Sequence, residues 1–447
     1  LEGLARLFRC ACSVFPPHAI MSRATVASHK DGKQFQKKVV EAPPVAAAWM
    51  NLTKNLIGAG IFSLPSALLS GSILPGLLAM LAVCLFCGSS FVLIAFLCKR
   101  LKCQTYREVW CTAFGPQTGV LIDAFIIVNG FFVCVAYTIL VADFLQKAAE
   151  GLLGSRPHRV LLIACNTGLF MLPLAHVRDL SALRYTSMMG LAIIGLVFLY
   201  ILFDCFGQME AATSNVKAHT ASFGMGIFRT IAICTGAFQA HYNAPRIFMQ
   251  LHCDLKAHTQ TVLASYGTAL SVYSVFAVCG LGLFGDDLLG NVLKNYAAEG
   301  NMPILLAWLG MAFAVIFTYP LVFTAARDSL IGSQPLLQEA MREYPTLAHI
   351  AITSAMVVAI STVASCIEDV SLVTGTLGAF IGSSLCWICP ASVYLQVTRG
   401  KSTLQQPLCE SKAPLPRSRA LAAYARFLIV FGAVSIVVGV EAVLHIV

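Results

Sequence analysis

Charged residues are scarce in this chain of 447 residues. Asp, Glu, Lys and Arg make up 11% of it, whereas 58% of it is hydrophobic. A soluble domain typically carries about 25% charged residues, so the composition excludes an ordinary soluble protein and indicates an integral membrane protein. The formal net charge of +9 lies in short loops between apolar runs. We therefore do not interpret it as a nucleic-acid surface, and we expect no nucleic-acid partner.

The sequence also lacks the side-chain clusters that an enzyme, a metal site or an ion channel needs. The few His, Asp and Glu residues inside apolar runs are scattered rather than gathered at one membrane face. Most of the 17 cysteines lie in apolar runs, where a free cysteine behaves as a small hydrophobe. No repeated filter or charge-lined pore is visible. We expect no catalytic residue, no metal and no bound cofactor.

Apolar runs of about 20 residues, the length that crosses a bilayer, recur along the chain. They predict an all-α integral membrane protein with about 11 transmembrane helices, and only Glu368 and Asp369 separate the ninth from the tenth. The predicted spans are 46–69, 72–97, 118–146, 159–176, 182–206, 223–249, 258–284, 302–326, 346–366, 370–396 and 421–446.

Basic residues predict how the chain lies in the membrane. With a cytosolic amino terminus, 22 of the 30 Lys and Arg residues fall in the tail and the inner loops, and five fall in the outer loops. This asymmetry favours a cytosolic amino terminus. Residues 1–45 then form a cytosolic tail that is too polar to fold, and residues 398–420 form a cytosolic basic loop before the eleventh helix in 421–447. Because the chain begins with leucine, we expect residues 1–20 to precede the true start at Met21.

Two predicted spans carry helix breakers at their centre. Gly58, Gly60 and Pro65 interrupt span 1, and the run from Gly236 to Pro245 interrupts span 6. Lipid offers no partner for freed backbone groups, so a broken membrane helix indicates that those groups are used. Breaks that recur five spans apart predict two inverted five-helix repeats, about 46–206 and 223–397, within a transporter core of 46–397. Close helix packing at the glycines is the alternative interpretation for span 1 alone.

The motifs GAGIFSLPSALLSG in span 1 and AFQAHYNAPRIFMQL in span 6 resemble the amino acid/auxin permease family. This family includes sodium-coupled neutral, vesicular and proton-coupled amino acid transporters. The segments YTILVADFL, YGTALSVYSVFAVCGLGLFGDDLLGNVLKNY, TYPLVFTAARDSL and GTLGAFIGSSLCWICPASVYL follow in the family's order. The resemblance implies a LeuT-type fold, with a 5+5 inverted repeat and broken helices 1 and 6. It also implies an amino acid substrate.

An amino acid needs amide donors for its carboxylate and carbonyl acceptors for its ammonium group. The first break offers donors beside a helix amino terminus, and the second break offers carbonyls. The resemblance adds an aromatic lid at Phe238, and Tyr137 in span 3 offers a hydroxyl. Phe238 as a core residue and Tyr137 as an interhelical donor are the open alternatives. The predicted substrate-binding residues are Gly58, Ala59, Gly60, Tyr137, Cys234, Thr235, Gly236 and Phe238.

The coupling ion, H+ or Na+, is the least determined feature. His241 lies in the second break, where it either accepts a proton or hydrogen-bonds to the broken backbone. Sodium-coupled relatives place asparagine where this chain has Lys54, with Asn55 one residue later, whereas Thr318 matches the family's hydroxyl ligand. We expect a sodium-independent carrier. For Asp123 and Asp143, near the ends of span 3, we expect solvated interfacial positions.

The predicted function is secondary-active transport of small or medium neutral amino acids by alternating access. The expected partners are the amino acid substrate and the lipid bilayer, and the oligomeric state is left open. Either the plasma membrane or an endolysosomal or vacuolar membrane fits as the location. A membrane-embedded amino acid sensor with little or no flux is the alternative function.

Overall fold

The computed structural model describes residues 45–177, 183–220, 224–297, 302–399 and 418–444. Nearly all of the predicted cytosolic tail and most of the predicted basic loop at 398–420 lie outside these residues. Within them the ordered secondary structure is helical throughout.

Nine helices in the described residues are long and apolar enough to cross a membrane. They are Ile73–Leu101, Pro116–Leu153, Arg159–His176, Met189–Gly207, Leu255–Asp287, Met302–Ser333, Pro345–Cys366, Val370–Thr398 and Arg419–Leu444. They correspond to predicted spans 2 to 5 and 7 to 11, and those numbers are kept below. The all-helical membrane architecture is thus confirmed.

The two remaining predicted spans are interrupted helices. Span 1 consists of half-helix 1a (Val45–Leu56), a 3-10 turn (Ala59–Ser63) and half-helix 1b (Leu64–Gly71). The axis bends by 47° between the two parts. Span 6 consists of half-helix 6a (Gly226–Ala237) and half-helix 6b (Ala244–Gln250). Each half-helix of span 6 is too short to cross a bilayer, which needs about 20 residues.

The boundary between spans 9 and 10 is sharper than the sequence suggested. Pro345–Cys366 and Val370–Thr398 are separate helices. Asp369 begins span 10 as its N-cap, because its carboxylate accepts a 2.8 Å hydrogen bond from the Ser371 amide. Glu368 and Asp369 therefore lie in a short connection between two separate helices, and Asp369 starts the second of them.

Alternating connectivity defines two faces of the bundle. Spans 1, 3, 5, 7, 9 and 11 begin at the first face, and the even-numbered spans begin at the second face. Span 3 packs along span 8, and half-helix 6a packs among 1b and spans 2, 10 and 11. The broken helices therefore lie inside the bundle.

Small residues permit the close approach of 6a to span 10. The Cα of Gly378 faces the Ala232 carbonyl so closely that a Cβ there would overlap it. A Cβ on Gly236 would lie 2.9 Å from the Thr374 carbonyl oxygen. Membrane helices pack through such small-residue contacts because burial gives little driving force in lipid. Gly236 thus has a packing role.

We predict that Gly378→Ala destabilises the fold by about 1–3 kcal/mol, because an overpacked contact displaces backbone. The matched control is Gly267→Ala in span 7, where no atom lies within 4 Å of the new Cβ. The control should be neutral, or stabilising by about 0.5–1 kcal/mol, since alanine favours the helix. Thermal unfolding of both purified variants measures the difference. Equal midpoints would show that the contact between 6a and span 10 is not tight.

Candidate functional site

The break in span 1 leaves backbone groups without helical partners. Half-helix 1a ends with the Ile57 amide donating to the Thr53 carbonyl at 2.7 Å, and the chain then bends at Ile57 and Gly58. No helical hydrogen bond crosses this bend, so the Gly60 amide at the start of the 3-10 turn lacks a helical acceptor. Gly58 and Gly60 are both partly accessible.

The break in span 6 has the same character. Half-helix 6a ends with the Phe238 amide donating to the Cys234 carbonyl at 2.9 Å. Gln239 and Ala240 are not helical, and a short 3-10 turn, His241–Asn243, leads into 6b. The last carbonyls of 6a therefore point into the gap, where an α-helix end carries partial negative charge.

The two breaks meet inside the bundle. A Cβ on Gly60 would lie 3.5 Å from the Ala237 Cα, which is ordinary van der Waals contact with the end of 6a. A Cβ on Gly58 would have a single neighbour, the Tyr137 hydroxyl at 3.9 Å. Gly58 therefore makes no tight packing contact of the kind seen at Gly378, and a side chain there would point at the Tyr137 hydroxyl. The structure thus brings together Gly58, Gly60 and Tyr137, but of Ala59 it describes only the backbone.

Cys234 and Thr235 face away from this space. Both are fully buried, and the Thr235 hydroxyl donates back to the Ile231 carbonyl at 2.6 Å. The Thr235 methyl group packs near Gly382 of span 10. Only main-chain carbonyls of this segment are oriented for a role at the break, and that of Cys234 already accepts the Phe238 amide.

Phe238 is fully buried against two tyrosines of span 7. Its ring stacks on Tyr266 with the centroids 5.9 Å apart, and meets the edge of Tyr273 at 5.1 Å. The core interpretation of this residue therefore describes its position in the present conformation. The lid role stays a prediction.

Span 7 supplies two hydroxyl donors that the sequence analysis did not identify. The Tyr266 hydroxyl donates to the Phe238 carbonyl at 3.2 Å. The Tyr273 hydroxyl donates to the Leu56 carbonyl and lies 3.2 Å from the Ala237 carbonyl. The available signal in the sequence was the pair Tyr266 and Tyr273, two hydroxyl-bearing residues two helical turns apart in an apolar span.

His241 is fully buried and has a partner at each ring nitrogen. Its Nε2 lies 3.1 Å from the Cys87 carbonyl and 2.9 Å from the Ser90 hydroxyl, and its Nδ1 lies 3.0 Å from the Cys386 thiol. Because a carbonyl only accepts, Nε2 must carry the proton, and Nδ1 then accepts from the thiol. The ring joins span 6 to spans 2 and 10 as a neutral imidazole. This geometry favours the hydrogen-bonding interpretation of His241.

Two of the predicted ion-site residues are engaged in other hydrogen bonds in this conformation. The side-chain Oδ1 of Asn55 accepts a hydrogen bond from the side-chain Nδ2 of Asn243 at 3.2 Å, which links 1a to the start of 6b. Thr318 donates to the Ala314 carbonyl of its own helix at 2.8 Å. Lys54 is half-buried and makes no hydrogen bond or ion pair to any described residue.

The bundle is closed on the second-face side of the breaks. Phe62, Phe144 and Phe276 are fully buried, and Phe62 contacts the other two edge-on, at 5.7 and 5.9 Å between centroids. They belong to spans 1, 3 and 7, which all run toward the second face. Each lies beyond its site residue along the chain, so this cluster separates the breaks from the second face.

Asp143 lies next to Phe144 of the aromatic cluster, and its expected solvated position is wrong. It is 2% exposed and lies 3.5 Å from the Lys294 ammonium and 3.8 Å from the Arg159 guanidinium. Two cations around one carboxylate compensate for its burial. Asp123 is also buried, at 6% exposure, and pairs with Arg107 at 2.9 Å. The position of Asp123 and Asp143 near the ends of span 3 suggested that both lie at the membrane–water interface. Whether a side chain there is buried depends on the neighbouring helices, which the local sequence does not show.

Two interrupted helices that meet inside an all-helical membrane bundle define a secondary transporter of the LeuT-type fold. A solved structure of Mhp1, a nucleobase-cation-symport-1 family transporter in a closed conformation with bromovinylhydantoin bound, has this fold. It matches with a TM-score of 0.58 at 15% identity, over 90% of each chain. The predicted fold is confirmed.

The chain belongs to the family of transmembrane amino acid transporter proteins, which matches residues 44–442. This confirms the resemblance seen in the motifs, and the family consists of transporters rather than enzymes. Human sodium-coupled neutral amino acid transporter 7 is 27% identical over 290 residues, so the match spans 62% of this chain and 62% of that protein's length. Vacuolar amino acid transporter 2 of Saccharomyces cerevisiae is 24% identical over 388 residues, which cover 81% of this chain and 78% of the yeast protein.

A histidine ties the loop between spans 5 and 6 to span 7 at the second face. The Nδ1 of His219 lies 2.9 Å from the Asn215 carbonyl and its Nε2 lies 3.0 Å from the Asp286 carboxylate. The Asn215 carbonyl and the Asp286 carboxylate raise the pKa of His219. Both neighbours only accept, so the contact is complete when the ring is doubly protonated.

We predict that His219 stabilises the protein in acid. A raised pKa gives stability that is present below the unfolded-state value and lost as the pH rises through the folded-state value. The wild-type advantage over His219→Gln in thermal unfolding should be larger at pH 5 than at pH 8. Because the pair of His219 and Asp286 is exposed, this stability advantage should be at most about 1 kcal/mol. His158→Gln, at an exposed histidine without a side-chain cap bond, is the control. A pH-independent difference would contradict the assignment.

Proposed function

We propose that this protein carries amino acids across a membrane by alternating access, with the substrate bound between the two breaks. The observation that supports this most directly is that the Cβ position of Gly58 has one neighbour within 4 Å, the Tyr137 hydroxyl, while Gly60 beside it contacts the end of 6a. A packing glycine would have close neighbours. Membership of the transmembrane amino acid transporter family gives the substrate class.

The chemistry of the junction suits an amino acid backbone. Amides of the 3-10 turn, including that of Gly60, would receive the carboxylate at a helix amino terminus, and the Tyr137 hydroxyl lies within reach of Gly58. Carbonyls at the end of 6a would receive the ammonium. Ala59, Cys234, Thr235 and Gly236 would contribute through their main chain.

The side-chain environment suits a small or medium neutral amino acid. Ile57, Ile61, Ala237 and Phe238 flank the breaks, and no carboxylate is present in either segment to receive a cationic side chain. The human relative is named for neutral amino acids and sodium coupling, and the yeast relative is named for the vacuole. The human name supports the neutral class, and the yeast name supports a vacuolar membrane among the locations that we propose, which are the plasma membrane and an endolysosomal or vacuolar membrane.

The charge distribution supports a cytosolic first face. Basic residues concentrate in the tail and in loops at this face. We therefore place 1a and 6b toward the cytosol and the aromatic cluster toward the outside or the lumen. The core 46–397 would then comprise inverted repeats at about 46–206 and 223–397. A basic loop at 398–420 and the eleventh helix would follow.

We predict that Gly58→Leu abolishes transport while the protein still folds. The new Cβ would lie 3.9 Å from the Tyr137 hydroxyl, so the rest of the leucine side chain would compete with a substrate bound beside that hydroxyl. Uptake of radiolabelled neutral amino acids into liposomes, competed with arginine and lysine, measures activity and selectivity. Gly267→Ala, whose new Cβ would have no neighbour within 4 Å, is the control. Normal uptake by Gly58→Leu would contradict the site, and wild-type binding without flux would favour the sensor.

We predict that transport persists when choline replaces sodium, because the Lys54 ammonium takes the place of the ion. Lys54 has no partner among the described residues, which leaves its charge available. Lys54→Asn should then create sodium dependence through Thr318. Flux under imposed sodium and proton gradients tests this. Saturable sodium stimulation of the unmodified protein that is lost in Thr318→Ala would instead assign the site to Asn55 and Thr318.

A further inference from the structure

Two carbonyls from different broken helices converge on one hydroxyl group. Leu56 is the last residue of 1a and Ala237 is the last residue of 6a. The fully buried Tyr273 donates to the Leu56 carbonyl, and its oxygen lies 3.2 Å from the Ala237 carbonyl. Span 7 therefore reaches the ends of both half-helices with a single side chain.

Two helix ends that present carbonyl groups to each other repel unless hydrogen-bond donors lie between them. The last carbonyls of a helix lack intrahelical donors, and each helix end carries about half a negative charge. In a bilayer no water replaces a missing donor. The Leu56 carbonyl also accepts the Gly58 amide at 2.8 Å, so at the end of 1a the Tyr273 hydroxyl is a second donor. A shared hydroxyl proton between the two carbonyls offsets their mutual repulsion.

Tyr266 provides an internal comparison. It lies two turns before Tyr273 on span 7, is equally buried, and also contacts the Phe238 ring. Its hydroxyl donates to one break only, at the Phe238 carbonyl. The two tyrosines share ring packing and depth but differ in the number of helix ends that they hold.

We infer that Tyr273 is a positioning residue that holds the two broken helices in register. Its single proton is shared, so either half-helix can move away while the donor stays bonded to the other. The hydroxyl would then keep one acceptor through a movement of 1a relative to 6a. This role deepens the proposed transport function, and its effect on transport rests on that proposal. The structural link between 1a and 6a does not itself require flux.

The test compares Tyr273→Phe with Tyr266→Phe in the full-length protein in lipid nanodiscs. Hydrogen–deuterium exchange is followed in peptides covering 53–64 and 234–243. Tyr273→Phe should accelerate exchange severalfold in both segments, whereas Tyr266→Phe should do so only in 234–243. Acceleration confined to one segment in Tyr273→Phe, or identical patterns in both variants, would overturn the inference.

Two further measurements separate the possible outcomes. If Tyr273→Phe does not fold, 3-fluorotyrosine at position 273 keeps the ring and makes the hydroxyl a stronger donor. It should slow exchange in both segments, and no change in either would overturn the inference. In liposomes, Tyr273→Phe should lower the maximal rate more than it raises the KM for substrate. Wild-type protein without flux but with the predicted exchange pattern would refute the transport proposal and leave the positioning role intact.

Discussion

Inside a bilayer no water is available to hydrogen-bond with backbone N–H and C=O groups. The rest of this structure follows from that constraint. Two helices are broken at its centre, so amides of span 1 and carbonyls of spans 1 and 6 must find partners within the bundle. Span 7 supplies hydroxyl donors, and span 10 approaches 6a through glycine. In the proposed function, a substrate would bind beside Gly58 and Tyr137, where the two interrupted helices come together. Structural support and binding chemistry thus arise from the same interruption.

The sequence was sufficient for the features that depend on local composition. Apolar runs gave the spans, and glycine and proline gave both breaks with their five-span spacing. It was insufficient wherever a partner lies far along the chain. Neither the carbonyl acceptors of Tyr273 nor the cysteine and serine partners of His241 can be derived from local pattern, since each contact joins segments more than 30 residues apart. The buried position of Asp143 was missed for the same reason, because its counter-charges come from Arg159 and Lys294.

The two sides of the breaks are closed by different chemistry. Toward the second face, three buried phenylalanines and the Asp143 ion cluster fill the bundle. Toward the first face, exposed amide side chains join 1a to 6b, as in the pair formed by Asn55 and Asn243. A neutral hydrogen bond in contact with water contributes about 1 kcal/mol or less, whereas separating packed aromatics exposes large apolar surface.

The surroundings of His241 also bear on ion coupling. Both ring nitrogens are engaged, one as donor to the Cys87 carbonyl and one as acceptor from the Cys386 thiol. A transported proton would have to displace that thiol in a fully buried pocket formed by three helices. Lys54 lies at the end of 1a, half-buried, without a partner among the described residues. A charge that takes part in coupling is better placed on Lys54, because no hydrogen bond or ion pair to a described residue holds its side chain and it lies in half-helix 1a at the first face. Within the proposed function, these contacts favour a hydrogen-bonding role for His241 and leave Lys54 as the proposed coupling residue.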